Sequence, residues 1–341
     1  MNTPSPDNDY MPPALLNRSS RTKFRAALLR WFNRRRRTLP WRANRNPYGV
    51  WISEIMLQQT RVAAVLDHYA RFLKRFPDVR SLAKARPASV LAAWSGLGYY
   101  RRARMMHAAA RQIVREREGR FPATAAEWRE LPGIGRYTAA AIASICYDEP
   151  CAVVDGNVER IIERLLGSRP GDAWDWANDL LSRRRPGDFN QAMMELGALV
   201  CTPQSPQCSQ CPVRKWCVSQ CRPPAGSTPF AARRKAKAAF GLITQGNRVR
   251  LWQRSERATV MPGMWELPPL DVPRPPSPVS RQAAGQIFTL RHAIMNTDYS
   301  VTVVRRPCAA DNPGEWFTAS RAAKLPLTGL ARKILKRAGI I

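Results

Sequence analysis

Two carboxylates and four cysteines are the residues whose types and spacing point to chemistry. Glu54 stands in NPYGVWISEIMLQQT, Asn46–Thr60, a stretch otherwise apolar enough to be core. A carboxyl group in such surroundings has a raised pKa and can hold a proton to donate. Asp155 stands in AVVDGNVERI, where an apolar run meets Asp-Gly-Asn and then a helical pattern. A lone Asp there most often serves as an N-cap, and it also sets a carboxylate at a helix mouth. One acid and one anion in unlike environments are what cleavage of a glycosidic bond requires. The leaving group needs a proton, and the oxocarbenium-like transition state needs a nearby negative charge. The sequence by itself does not bring the two together.

Cys201, Cys208, Cys211 and Cys217 follow the spacing C-x6-C-x2-C-x5-C. Four thiolates so close in the chain can close around one centre. A [4Fe-4S] cluster takes four cysteine ligands, whereas structural zinc more often takes two separated pairs, so the spacing favours the cluster over zinc. Cys146, Cys151, Cys221 and Cys308 fall outside that spacing and read as small buried or surface thiols. The third chemistry-bearing stretch is LPGIGRYTAAAI, Leu131–Ile142. Gly133 and Gly135 at a helix mouth would let backbone N–H groups approach a DNA phosphate. An ordinary tight turn between packed helices fits the same letters.

The elements that must position these residues are mostly helical. From about Thr22 to Leu199 apolar residues recur at helical spacing, broken by NPYG, FPDV, SGLG, LPGIG, DEP and GSRPGD. Ile52, Ile55, Met56, Gln59, Val62, Ala63 and Leu66 fall on one side of what reads as a single long helix. After the cysteines, CRPPAGSTPFAARRKAK reads as a linker. Beyond it AFGLITQGNRVRLWQR suggests two strands about a Gln-Gly-Asn turn, IMNTDYSVTVV a further strand, and GLARKILKRAGII a basic amphipathic helix. There is no internal repeat. The expected order is a disordered tail over 1–21, a mainly α domain over 22–221 with the cluster loop at 201–217, a linker over 222–237, and a smaller α+β domain over 238–341.

Composition narrows the partner. The chain of 341 residues carries a net charge of +30, and 46 of its 55 basic residues are Arg. Guanidinium groups pair bidentately with phosphate and stack on bases, so nucleic acid is the first partner to test. No run is apolar for long enough to span a bilayer, and the N-terminal residues lack the apolar core of a signal peptide. The expectation is a monomer in a reducing compartment, a cytoplasmic protein gathered on the bacterial nucleoid by DNA binding.

Taken together, these stretches resemble the endonuclease III superfamily, with its helix-hairpin-helix and iron–sulfur cluster, and within it most closely the MutY-type adenine DNA glycosylases. The likeness rests on LPWR (Leu39–Arg42), NPYGVWISEIMLQQT, GLGYYRRAR (Gly96–Arg104), LPGIGRYTAAAI, VVDGNVERI, FNQAMMELGALVC (Phe189–Cys201) and the four cysteines, in the same order from Thr22 to Cys217. The resemblance implies excision of adenine mispaired with 8-oxoguanine or guanine in double-stranded DNA, with Glu54 protonating adenine at N7 and Asp155 stabilising the cationic sugar. Tyr137 and Asn157 would orient these groups. Trp41, Arg42, Leu57, Val62 and Glu195 would line the adenine pocket, while Gln59, Thr60, Leu97 and Tyr99 would probe the opposite base and fill the stack. Gly133 and Gly135 would hold a DNA phosphate. Without the likeness, Trp41 and Tyr99 read as core packing and Gln59 as a helix face. The lyase branch carries a Schiff-base lysine where this chain has Tyr137, and no lysine occurs from Ala85 to Arg214, so strand cutting is not expected.

The C-terminal part resembles the Nudix-like domain of the same enzymes through GLITQGNRVRLWQR, MPGMWELP and LRHAIMNTDYSV. It lacks the Glu-rich Nudix metal signature. It also departs from the family's Phe-Ser-His lesion-sensing triplet, carrying Ile294, Met295 and Asn296, which weakens the expectation of strong 8-oxoguanine discrimination. Arg34–Arg37 reads as a solvated face or a general phosphate contact, His107 as surface or DNA-facing, and Arg214 and Lys215 as phosphate contacts held between cluster cysteines. The rival functions are a glycosylase for another base, such as thymine opposite guanine, and a catalytically silent DNA-binding relative.

Overall fold

Phe24, Leu28 and Phe32 recur every four residues, and the helix they build buries all three completely. That helix, α1 (Arg18–Arg35), opens a computed structural model that describes residues 17–168, 171–220, 233–268, 270, 286–294, 296–307 and 314–341. It begins inside the segment expected to be a disordered tail, because Asn17 caps it by accepting from the Ser20 N–H at 2.7 Å. There follow α2 (Pro47–Leu57), α3 (Val62–Arg75), α4 (Val79–Lys84), α5 (Pro87–Trp94) and α6 (Arg101–Arg117). Next come α7 (Ala125–Trp128), α8 (Arg136–Tyr147), α9 (Gly156–Leu166), α10 (Ala173–Leu180) and α11 (Pro186–Leu199). The C-terminal part holds β1 (Arg234–Leu242), β2 (Thr244–Gln245), β3 (Arg248–Gln253), β4 (Trp265–Glu266), β5 (Gln286–Ile294), β6 (Thr297–Arg305) and β7 (Glu315–Thr318). The helices α12 (Ala319–Lys324) and α13 (Gly329–Arg337) complete it. The mainly α architecture followed by a smaller α+β part is as expected.

The single long helix is not. The chain breaks after Leu57, with Gln59 at φ +54°, and resumes as α3 at Val62. The apolar period runs on across the break because two separate helices each bury a face, so periodicity alone cannot show the gap. Arg234–Lys237, expected in the linker, form the start of β1. Lys235 and Lys237 are exposed and alternate with half-buried Ala236 and Ala238, a strand pattern that the charge disguised. His107 is buried on α6, not exposed, and burial lowers its pKa.

The described residues fall into two compact units, one within Met1–Val62 and Gln112–Pro229, the other within Ala63–Arg111 and Phe230–Ile341. In the first, α1 and α9–α11 share a core of Phe24, Phe32, Ile161, Phe189, Leu196 and Trp216. In the second, β6 lies between β1, its parallel neighbour, and β5, its antiparallel one, while β3 pairs with β2, β4 and β7. Val249, Leu251, Val301, Val303, Ile334 and Leu335 pack between these strands and α13. Among the described residues no helix is long and apolar enough to cross a membrane.

Candidate active site

Glu54 is placed by α2, whose residues from Tyr48 to Met56 are all buried. Its carboxyl accepts from the Tyr137 hydroxyl at 2.9 Å. Burial pushes its pKa up to about 7 against the pull of that bond, and the charge of Asp155 raises it further while Arg42 lowers it. The two carboxylates that the sequence left apart therefore sense one another. Tyr137 lies in the first turn of α8, and burial together with Glu54 and Asp155 raises its pKa well above 10, so it stays a neutral donor. Its oxygen also lies 3.3 Å from Met194 Sδ.

Asp155 is both a cap and a charge. One oxygen accepts from the backbone N–H groups of Asn157 at 2.9 Å and Val158 at 2.8 Å, the other from the Asn157 side chain at 2.9 Å. Three N–H donors on two oxygens suit an ionised carboxylate, as does the positive end of α9. Asn157 is oriented in turn by Arg160, which donates to its Oδ1 at 2.8 Å, to the Gly197 carbonyl at 2.9 Å and to the Cys201 carbonyl at 2.9 Å. A Cβ on Gly197 would lie 2.5 Å from Asn157 Cβ, so the glycine lets α11 approach α9 closely enough for these bonds.

Glu195, on α11, does something the sequence did not suggest. Arg37 binds it through its backbone N–H, Nε and Nη2 at 2.8, 2.9 and 2.7 Å, and Arg42 adds a bond of 2.9 Å. Burial alone would raise its pKa, but the arginine bonds outweigh it and hold the group at about 2. Arg37, expected on a solvated face, is thus half of a buried ion-pair cluster, whereas Arg34, Arg35 and Arg36 are exposed as expected. Arg42 and buried Trp41 sit in a 3-10 turn at Pro40–Arg42. Replacing Glu195 with Gln should destabilise the fold by about 3 kcal/mol at pH 7, since two arginines lose their counter-charge. Because the folded pKa is depressed, that stability is present above about 4.5 and lost as pH falls toward 2. An acid-unfolding curve that keeps its steepness in Glu195→Gln would contradict this.

The other expected residues fall at the edges. Leu57 and Val62 are half-buried on either side of the break, Gln59 takes the left-handed conformation there, and the Thr60 N–H donates to the Leu57 carbonyl at 3.1 Å. Gln58, which the sequence did not single out, donates to Thr138 Oγ1 at 3.1 Å. Gln59 therefore lies in the break between α2 and α3 and not on a helix face. Gly133, at φ +77°, turns the chain between α7 and α8, and a Cβ on Gly135 would meet nothing within 4 Å, so the α8 N-terminus opens outward. In the second unit Leu97 is buried, but Tyr99 is 45% exposed at φ +46° and is not core packing. Ile294 ends β5, Asn296 is exposed with its carbonyl accepting from the Arg234 N–H, and Met295 lies outside the described residues, as do Cys221 and Cys308.

Residues 52–180 match the HhH-GPD superfamily of base excision DNA repair proteins, and residues 201–217 match the iron-sulfur binding domain of endonuclease III. The chain is 48% identical over 213 residues to the adenine DNA glycosylase of Mus musculus, covering 58% of this chain and 41% of that one. It is 38% identical over 203 residues to the adenine DNA glycosylase of Buchnera aphidicola subsp. Baizongia pistaciae, covering 58% of each. This chain therefore spans about half the length of these relatives. A thermostable thymine-DNA glycosylase superposes with a TM-score of 0.55 at 29% identity, over 59% of this chain and 96% of that structure.

The cysteine segment is a [4Fe-4S] cluster site. Cys201, Cys208, Cys211 and Cys217 are all half-buried, and three of them pack on the core around Phe24 and Trp216. Among the described residues no three His, Cys, Asp or Glu side chains converge on a point suited to a single ion. The four cysteines of this segment are the residues that would hold the cluster, one thiolate to each iron. Arg164, buried on α9, donates to Cys201 Sγ at 3.2 Å and to the carbonyls of Thr202 and Pro203 at 2.8 Å each, bracing the loop that carries the ligands. Arg214 and Lys215 are exposed between Cys211 and Cys217.

Proposed function

We propose that this chain is a monofunctional adenine DNA glycosylase that flips and excises adenine opposite 8-oxoguanine or guanine in duplex DNA. The observation that carries the reading is Glu54, a buried carboxyl titrating near pH 7 within the field of Asp155. Near neutrality a fraction of Glu54 holds a proton beside a second carboxylate whose oxygens are fixed by N–H donors. That division of labour suits breaking a bond between a base and a sugar. Glu54 gives its proton to the departing adenine at N7, the bond electrons leave with the base, and Asp155 faces the positive charge that develops on the sugar. Water then adds to the sugar and gives up a proton to the Glu54 carboxylate, which restores the acid. Tyr137 and Asn157 orient the two carboxylates, and Trp41, Arg42, Leu57 and Val62 surround the base, with Glu195 fixing Arg42. Gln59, Thr60, Leu97 and Tyr99 engage the opposite base and fill the gap, since a base must leave the stack to be excised. Gly133 and Gly135 hold a backbone phosphate, and Arg214 and Lys215 supply two more phosphate contacts. Tyr137 offers no amine for a Schiff base, so the reaction stops at the abasic site. We place the domain boundary in the linker ahead of β1, within 222–233, followed by a Nudix-like domain in which Ile294, Met295 and Asn296 occupy the lesion-sensing loop. The names of the relatives in mouse and Buchnera support the substrate.

The test is single-turnover excision from labelled duplexes carrying adenine opposite 8-oxoguanine, guanine or cytosine, with thymine opposite guanine alongside. The expected result is loss of adenine opposite 8-oxoguanine and guanine, with strand cutting only after alkali. Release of thymine alone, or cutting without alkali, would overturn the reading.

A further inference from the structure

The turn between α5 and α6, Ser95-Gly-Leu-Gly-Tyr-Tyr100, has an unusual backbone. Gly96, Gly98 and Tyr99 take positive φ values of +109°, +70° and +46°. Such a turn persists only when its surroundings over-determine it. Part of the bracing is local. Trp94 Nε1 donates to the Gly98 carbonyl at 3.0 Å, and Arg102 donates to the carbonyls of Leu97 and Gly98 at 3.2 and 3.3 Å. The Arg102 guanidinium also lies over the rings of Trp94 and Tyr99, at 5.3 and 5.4 Å. His68 Nε2 is 3.2 Å from the Ser95 carbonyl.

The rest comes from far along the chain, within the same compact unit. The Ser95 hydroxyl donates to the Leu327 carbonyl at 2.8 Å, and the Tyr100 hydroxyl donates to the same oxygen at 3.0 Å. The two ends of the turn thus converge on one backbone carbonyl and use both of its lone pairs. Arg332, on α13, donates through Nε to the Ser95 oxygen at 2.8 Å, so that hydroxyl is engaged as donor and as acceptor. The remaining Arg332 nitrogens reach the carbonyls of Ala323 and Leu325 at 3.4 to 3.5 Å. Leu327 itself is fixed, because Trp265 of β4 bridges to it and the Thr328 N–H donates to the Trp265 carbonyl at 2.9 Å. Ser95, Tyr100 and Leu327 are all buried. A buried polar network in which every member is satisfied specifies one arrangement, and losing one member leaves the others exposed to that cost.

We propose that Ser95 and Tyr100, gathered on the Leu327 carbonyl, together with Arg332, which holds the Ser95 hydroxyl, are positioning residues that fix the Gly96–Tyr99 turn in its left-handed form before DNA arrives. The C-terminal segment 325–332 thereby becomes a working part of the opposite-base wedge and not merely a neighbour of it. The proposal rests on the reading of Leu97 and Tyr99 as wedge residues. A turn held in advance meets the duplex without first being ordered, so loosening it should weaken base flipping more than it weakens general contact with the phosphates.

The experiment uses the full-length, cluster-loaded protein and the variants Tyr100→Phe and Arg332→Lys, with Leu97→Ala and Tyr99→Ala for reference. Thermal melting first establishes that each variant folds. Single-turnover excision is then measured on duplexes with adenine opposite 8-oxoguanine, and on duplexes with adenine opposite an abasic site, where no base pair opposes extrusion. Tyr100→Phe should slow the paired substrate on the order of tenfold and the abasic one far less. In a Leu97→Ala background Tyr100→Phe should add little, because the wedge it positions is already gone. Arg332→Lys keeps the charge but loses the aligned Nε donor and should fall in between. Equal slowing on both substrates, or full additivity with Leu97→Ala, would mean a merely structural role and overturn the proposal. If Leu97→Ala and Tyr99→Ala themselves leave the paired substrate unaffected, the wedge reading fails first and this proposal with it. If they slow it while Tyr100→Phe does not, only this proposal fails.

Discussion

Replacing Glu54 with Gln should lower the single-turnover excision rate by about a thousandfold while leaving DNA affinity nearly unchanged. The size follows from losing a positioned general acid, which typically contributes 10²–10⁴-fold. The amide keeps the volume and can still accept from Tyr137, so the pocket stays filled. The pH dependence separates an acid from a mere packing group. Glu54 titrates at about 7, so the wild-type rate should be flat below that and fall about tenfold per pH unit above it. The residual rate of Glu54→Gln should lack that fall. Stability should move the other way. The folded pKa lies above the ordinary 4.5, so the neutral form is favoured by the fold, and that benefit is lost as pH rises through 7. Ionising the buried carboxyl costs roughly 3 kcal/mol by pH 9, a cost the amide never meets. Glu54→Gln should therefore melt at a higher temperature than wild type at pH 9 and at a similar one at pH 5. A variant that loses activity together with stability at both pH values would show that Glu54 is only a packing group.

What could be read from the sequence depended on how local the signal was. The four cysteines, the turn at Leu131–Gly135 and the Asp155 cap are each written within a few residues, and the cluster and mainly α architecture follow from them. Glu54 was legible as a buried carboxyl because apolar residues surround it in the chain. The influence of Asp155 on it was not, since a hundred residues separate them and no local pattern encodes an approach that distant in the chain. Arg37 was missed for a related reason. In a run of four arginines nothing marks the one whose backbone N–H and guanidinium both meet Glu195. The break at Gln58–Arg61 was hidden because the apolar period runs straight through it. Ser95 and Tyr100 could not have been joined to each other, because what unites them is the main-chain carbonyl of Leu327, which has no letter.

Asp155→Asn offers the sharpest separation of charge from scaffold. Asp155 caps α9 through bonds to the N–H groups of Asn157 and Val158, and Asn is as good an N-cap as Asp. The cap should therefore survive. One contact is lost, because an amide NH₂ would face the Asn157 side chain, whose own oxygen is already taken by Arg160. Stability should fall by no more than about 1 kcal/mol. Excision should fall by about 10²–10³-fold, the usual cost of removing a fixed group that meets charge developing in the transition state. Asp155→Ala loses the cap as well and should cost roughly a further 1 kcal/mol with little more loss of rate. Denaturant melts and single-turnover rates of the two variants, plotted together, then distinguish the roles. If the rate tracks stability across the pair, Asp155 acts only by holding α9. If Asp155→Asn loses the rate while its helix stays capped, the negative charge itself faces the reacting sugar.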